Sequence, residues 1–309
     1  MQVTITGATG LVGSRLVARL QARGDRVTVL SRDAAKAKAA LGDVEAVSWS
    51  PGSAGAPGAP DPALVAALEG RDAVVNLAGE PVFQRWTAAA KPRIKASRVE
   101  TTKQLVAAIA AAQDRPGTLV SGSATGYYGD TGDTVVTEEH PAATDFLGDL
   151  ASSWEAAARG AETHDVRVVL VRTGMVLAPE GGALPVMAKP FKLGLGSWMG
   201  DGKQYVPWIH VDDEVGIILA ALDHPTFSGP VNAAAPEAAT NKAYSKAVGA
   251  ALHRPVLVPA PAFVLRTVLG EMSALVLDSS RTSPGRAEEL GYRFDHPGLH
   301  GALDDVLGS

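Results

Sequence analysis

The chain opens on an apolar run, Val3-Thr4-Ile5-Thr6, that breaks at Gly7. Apolar positions then recur at helical spacing from Gly10 onward, at Leu11, Val12, Leu16, Val17 and Leu20. The pattern predicts a buried strand, a tight turn and an amphipathic helix. A second apolar strand, Arg26 to Leu30, follows at the distance expected for a strand–helix–strand unit. The alternation continues: Val44 to Trp49, Asp72 to Gly79, Thr118 to Ser121 and Arg167 to Arg172 read as strands, Lys91 to Ala112 and Leu150 to Glu162 as helices. Pro51 to Asp61, rich in Gly, Pro and Ala, reads as a loop. No internal repeat interrupts this order.

Strands alternating with helices imply an α/β fold: a Rossmann-type, doubly wound parallel sheet. The second half is less regular. Gly194 to Gly202 reads as an exposed glycine-rich loop, and Tyr205 to Val211 as extended chain. Asp212 is placed to cap a helix from Asp213 to Leu222, and Gly229 to Ala233 reads as a short strand. Helices are expected at 240–252 and 262–269, around the proline-rich Arg254 to Pro259. The expected division is a nucleotide-binding domain of residues 1–173 plus about 205–235, and a smaller C-terminal α/β substrate lobe of about 174–204 plus 236–309.

The first turn carries the chemistry. Gly7, Gly10 and Gly13 stand three residues apart across a strand-to-helix junction, with Thr9, Leu11 and Val12 between them. Without side chains the backbone can turn sharply, approach a ligand and let helix pack on strand. The helix N-terminus then offers free N–H groups and a positive dipole end to a pyrophosphate. At the end of the second strand a carboxylate would hold the ribose of NAD, but Leu30, Ser31 and Arg32 provide none. Arg32 is a forked cation and Ser31 a small donor, suited to a 2′-phosphate. NADP(H) is therefore expected over NAD(H). The competing reading makes Arg32 an ordinary solvated arginine.

Composition narrows the class further. Of 309 residues 46% are hydrophobic and 20% charged, which suits a globular core of one large or two smaller domains. A net charge of −5 gives no footprint for nucleic acid or membrane. With 0 cysteines, disulfides and thiolate chemistry are excluded, and a reducing interior fits. No apolar run approaches the roughly 20 residues of a membrane span. The first strand begins at the second or third residue, ahead of which no signal peptide is expected, so a cytoplasmic location is. A monomer and a homodimer both fit.

The Thr6-to-Gly13 loop, Asn76-Leu77-Ala78-Gly79, Ser121 to Gly129, Arg172-Thr173-Gly174 and Trp208 to Asp213 together resemble the extended short-chain dehydrogenase/reductase family. Gly79-Glu80-Pro81, Ser97 to Thr102, Ser153 to Ala157, Pro207 to His210 and the stretch from Pro259 to Met272 resemble its atypical "epimerase family protein" branch. That branch ends in a small C-terminal domain. The resemblance implies an oxidoreductase or epimerase-like enzyme using NADP(H). It also implies coenzyme contacts from Leu77, Ala78, Gly79, Glu80 and Arg85, and adenine-side contacts from Trp49. A surface ion pair for Glu80 and Arg85, and a packing role for Trp49, are the competing readings.

The ordinary family works through a Tyr-x-x-x-Lys pair. Here Leu147 and Ala151 occupy those positions, and no lysine lies between Lys103 and Lys189. Tyr127 and Tyr128, after the fifth strand, are candidate replacement proton donors, although a phenol needs its pKa lowered from about 10 to serve; the competing reading packs one phenol inside and turns the other to solvent. Ser123, with Thr125 as the alternative, matches the substrate-orienting serine. Nucleotide-sugar epimerases carry an arginine where Val206 stands, and an asparagine that Thr173-Gly174-Met175 does not supply. The small-molecule substrate is therefore not expected to be a typical nucleotide sugar. Trp198, Met199 and Tyr205 would suit a flat or apolar compound. His210 reads as architectural, and Asp212 and Asp213 as capping acids, so no metal site is expected. The absent Tyr–Lys pair leaves a second reading open: an NADPH sensor or scaffold without turnover.

Overall fold

The strands Gln2–Thr6 (β1), Arg26–Ser31 (β2), Glu45–Ser48 (β3), Ala73–Asn76 (β4), Thr118–Ala124 (β5), Arg167–Thr173 (β6) and Gly229–Ala233 (β7) pair in parallel in the order β7-β6-β5-β4-β1-β2-β3. This is a computed structural model describing residues 1–51 and 60–308. Residues 52–59, most of the expected glycine–proline loop, lie outside the described residues. The central strands are nearly continuous Val, Ile, Leu and Thr because helices cover both faces and nearly every side chain is buried.

One face carries helices α1 (Leu11–Ala22) and, from later in the chain, Val211–Asp223. Leu16, Val17 and Leu20 of the first meet Val215 and Ile218 of the second over Val3, Ile5 and Val29. The other face carries Pro62–Leu68, Ala90–Ala111 and Phe146–Arg159, whose Leu64, Leu68, Leu105, Ile109 and Ala158 pack on Leu119 and Leu170. Burying each large apolar side chain contributes about 1.5–3 kcal/mol, against the entropy of ordering it. With α2 assigned to Ala34–Leu41, the three helices on that second face are α3, α4 and α5 in chain order. Leu184–Lys192 is α6, Val211–Asp223 is α7 and Asn241–Ala251 is α8.

A further core lies beyond the sheet. Leu184 and Phe191 of α6, Trp208, Tyr244 and Val248 of α8, and Leu303 of the terminal helix Leu299–Leu307 enclose it. Two carboxylates, the buried Asp213 and the exposed Glu237, hold the C-terminal segment. Asp213 accepts from the Tyr292 hydroxyl (2.9 Å) and from the amides of Asp295 (2.7 Å) and His296 (3.0 Å). Glu237 accepts from the amide of Leu299 at the start of the terminal helix (2.8 Å).

Several local expectations change. Helix α5 starts at Phe146 rather than Leu150, because Asp145 caps it by accepting from the Gly148 amide at 2.8 Å. Helix α6 was not expected from a segment holding Pro185 and Pro190, yet Pro185 sits in its first turn, where an N–H would be unsatisfied anyway. The cap of α7 is His210, not Asp212: its Nδ1 accepts from the Asp212 amide (3.2 Å), while the Asp212 carboxylate pairs with Arg15 (2.9 Å). The Gly194–Gly202 loop contains a short strand, Ser197–Met199, paired with Val258–Ala260 of the proline-rich segment. Among the described residues no helix is long and apolar enough to cross a membrane.

Candidate functional site

The carboxyl ends of β1, β2, β4, β5 and β6 lie along one edge, where open α/β sheets bind ligands. Chain leaving β1 turns at Gly7, whose φ of +69° and distance of 2.6 Å from a notional Cβ to the Leu77 carbonyl admit no side chain. Gly10 donates back to the Gly7 carbonyl at 3.0 Å, and a Cβ on Gly13 would sit 2.3 Å from that oxygen. Helix α1 therefore starts hard against the strand. Its N-cap, Gly10, has no side chain to occupy the first amides, which remain for a ligand.

A cleft of about 500 Å³ opens above this turn. Gly7, Thr9 and Gly10 form one side, Ser31, Arg32 and Trp49 the ends of β2 and β3, and Leu77, Ala78, Gly79 and Glu80 the turn after β4. The structure thus gathers most of the expected coenzyme residues around one space. Leu11, Val12 and Gly13 are not among its walls: the Leu11 side chain packs on Gly181 and Gly182, that of Val12 on the core, and the Gly13 backbone lies against Gly7. Arg85 stands exposed, outside the cleft, in the turn whose Thr87 amide bonds its carbonyl (3.0 Å). The surface ion pair of the competing reading, between Glu80 and Arg85, is not formed. The Glu80 carboxylate instead accepts from Gln84 (2.9 Å) and Arg93 (3.2 Å), which hold it below the usual carboxylate range.

The end of β2 keeps its cation open. Asp33, the first acid after β2, is committed to capping α2 through the Lys36 amide (2.9 Å). Arg32 is exposed on the cleft wall and makes no side-chain hydrogen bond or ion pair among the described residues. Trp49 packs on the α3–α4 side of the core, as the competing reading has it, and also lines the cleft. Its Nε1 is buried and has no partner among the described residues.

A second cavity of about 390 Å³ adjoins the first. Helix α4 joins them: Ser97 and Thr101 face the cleft, while Arg98 lines the cavity. Leu147, Leu150 and Ala151 of α5, Met187 of α6, and Ser123, Thr125 and Thr173 at the carboxyl ends of β5 and β6 complete the main walls. Of the three aromatic and sulfur residues expected at the mouth, Tyr205 lines the cavity and Trp198 and Met199 do not.

Ser123 is buried and on the cavity wall, and its Oγ donates to Glu155 Oε1 at 2.6 Å. Glu155 is in turn gripped by Arg172 through Nε (2.8 Å) and Nη2 (2.9 Å), a bidentate buried pair. Burial works to lower the Arg172 pKa, but the hydrogen bonds and charges of Glu155 and Tyr128 together outweigh it and the net shift is upward. Tyr128 belongs to this network rather than to the cavity. Its hydroxyl donates to Asn232 (2.6 Å) and accepts from Arg172 (2.9 Å), and burial pushes it up to about 12. Tyr127 stacks on the Arg172 guanidinium at 3.6 Å. Neither phenol lines the cavity. Both leave the role expected of them for the same reason: the arginine at the end of β6 draws them to its own side of the sheet edge.

Arg98 belongs to a motif that carries the family resemblance, yet the sequence assigned it no task. The available signal was local: Ile94 and Thr102, one turn away on either side, provide no acid to pair with it. Thr173 likewise joins the cavity to a buried acid, donating to Glu214 Oε1 at 2.7 Å. Burial pushes Glu214 up to about 8, and its other oxygen has no partner among the described residues. Asp278, elsewhere on the wall, is raised to about 6 by burial and by Asp130 and Asp145. His210, Asp212 and His296 bring possible ligand atoms within 4.8 Å of one another. The His210 nitrogens are nevertheless engaged by the Asp212 amide and by Asp305 (3.1 Å).

Residues 3–234 match the model of the NAD dependent epimerase/dehydratase family, and residues 260–306 that of a domain of unknown function, DUF1731. The chain is 38% identical to the "Epimerase family protein SDR39U1 homolog, chloroplastic" of Arabidopsis thaliana, over 99% of this chain and 87% of that protein. It is similar to the crystal structure of human epimerase family protein SDR39U1 (isoform 2) with NADPH, at a TM-score of 0.86 and 35% identity, covering 99% of each chain. It also resembles a nucleoside-diphosphate sugar epimerase from Corynebacterium glutamicum, at a TM-score of 0.76 and 31% identity, covering 100% of this chain and 58% of that one.

Proposed function

The chain belongs to the NAD dependent epimerase/dehydratase family, and from that premise we propose an NADP(H)-dependent oxidoreductase or epimerase-like enzyme. Its substrate would be a small carbonyl or hydroxyl compound other than a typical nucleotide sugar. The observation that carries the reading is the junction of cleft and cavity. Gly79 forms the wall of one and Arg98 of the other, and a Cβ on Gly79 would sit 2.7 Å from the guanidinium carbon. A dinucleotide with its phosphates on the α1 amides would extend past this junction into the second cavity. The human relative solved with NADPH supports the choice of coenzyme, as does the open Arg32.

When bound, the nicotinamide supplies or accepts a hydride. The chain's part is to hold both reactants. The α1 amides and Arg32 bind the coenzyme phosphates, and Trp49 lines the adenine side. Ser123, with its proton on Glu155, presents lone pairs to a substrate hydroxyl and orients it. Leu147, Leu150 and Met187 exclude water from the same space.

One observation favours a second reading, an NADPH sensor or scaffold: α5 presents leucine and alanine to the cavity where the related enzymes carry tyrosine and lysine. Loading the protein with NADPH, offering a broad set of carbonyl compounds and following loss of reduced-nicotinamide absorbance separates the two. Turnover that falls in Ser123→Ala supports the enzyme. Silence across the set with tight NADPH binding supports the sensor.

A further inference from the structure

The second cavity contains an arginine whose hydrogen-bonding edge is unused. Arg98 is mostly buried on α4, where its Nη1 donates to the backbone carbonyls of Glu80 (2.8 Å) and Ile94 (3.3 Å). Nε and Nη2 have no hydrogen-bond partner among the described residues, and no carboxylate among them pairs with the group. Glu80, the acid acting on it electrostatically, has its carboxylate bonded to Gln84 and Arg93 instead. Desolvation lowers the Arg98 pKa only to about 10, so the cation persists at neutral pH.

The guanidinium is held flat. A Cβ on Gly79 would lie 2.7 Å from Cζ but 2.9 and 3.0 Å from Nη2 and Nε, so the glycine lies over the plane rather than at the edge. The Trp154 ring is 5.3 Å from the same carbon. Both neighbours pack on the group, and no described residue hydrogen-bonds its Nε–Nη2 edge, the edge that takes a carboxylate through two parallel bonds. A cation immobilised by packing loses little entropy when it binds. The surrounding wall is otherwise mainly apolar, with Phe83, Leu147 and Met187 prominent. Asp278 does not neutralise it: its charged neighbours are Asp130, Asp145 and Arg266.

We propose that Arg98 is the anion anchor of this cavity, and that the substrate is an apolar monocarboxylate whose acid group seats on Nε and Nη2. The inference deepens the functional reading, since it rests on the cavity being the substrate pocket. It excludes polyanionic substrates, for which one buried cation is too few.

The test uses the intact protein, with and without saturating NADPH, and two probes of one shape, 2-naphthoate and its neutral amide. Calorimetry is expected to give naphthoate at least about tenfold tighter binding than the amide. Arg98→Met should erase that gap, and Arg98→Lys should keep part of it. Equal affinities in the wild type, or an unchanged gap in Arg98→Met, would overturn the assignment. Should Arg98→Met fail to fold, a crystal of the wild type with 6-bromo-2-naphthoate decides: the carboxylate on Nε and Nη2 supports it, and any other location refutes it. Failure to bind NADPH would remove the coenzyme reading while leaving the naphthoate comparison interpretable.

Discussion

Ser123 Oγ donates to Glu155 Oε1 at 2.6 Å, and both side chains are buried at the carboxyl edge of the sheet. The serine faces the cavity, while the glutamate faces Arg172, which it holds through both oxygens. A wall residue of the proposed reaction space is thereby positioned by a structural ion pair. Removing one member of a buried pair strands the other. Glu155→Ala is expected to cost about 3–5 kcal/mol in urea unfolding, because Arg172 keeps its charge in a dry site. A loss under about 1 kcal/mol would mean that water reaches the pair.

Tyr128→Phe is expected to leave coenzyme affinity unchanged. The hydroxyl serves Asn232 and Arg172, not the cavity. Stability should fall by about 1–2 kcal/mol, measured by thermal or denaturant unfolding, for two lost buried hydrogen bonds. A tenfold loss of NADPH affinity without a change in stability would return the phenol to the site.

Coenzyme choice rests on Arg32. Asp33, the nearest acid, caps α2 and does not compete for a ribose. Arg32→Ala should weaken NADPH about 10–100-fold and leave NADH unchanged, read by paired fluorescence titrations. Equal losses for both coenzymes would place the arginine on the shared pyrophosphate instead.

Glu214 gives the fold a pH dependence. Burial raises it from 4.5 to about 8, against a smaller opposing effect of the Thr173 hydroxyl. A carboxyl raised on folding binds its proton more tightly in the native state. Its contribution is complete below the unfolded value and is lost as pH rises toward 8. Relative to Glu214→Gln, the wild type should therefore lose about 2–4 kcal/mol of stability between about pH 5 and pH 8. Parallel stability curves for the two proteins would show that the carboxyl is ionised in the native state.

The sheet and its glycine turn were legible because burial on both faces leaves unbroken Val, Ile and Leu runs, and because Gly7 and Gly13 are demanded by close backbone contacts. The cleft followed from them. The cavity was much less legible. Whether Tyr127 and Tyr128 point at ligand or at protein depends on Arg172, which meets them only through the pairing of β5 with β6. Arg98 stayed silent because an arginine on a helix looks like any other until its partners are known. Helix α6 was hidden by prolines whose positions, not identities, decide their effect.

Direct titration of the purified protein with NADPH, followed by quenching of tryptophan fluorescence or by calorimetry, tests the central claim that the turn from Gly7 to Gly13 seats a dinucleotide. Trp49 on the cleft wall provides the optical signal. The wild type should show saturable binding at one site in the micromolar range or tighter. Gly10→Asp, which places a carboxylate at the N-cap where the phosphates would lie, should weaken it at least about a hundredfold through charge repulsion. No saturable binding by the wild type, or unchanged binding by a folded Gly10→Asp variant, would contradict the account.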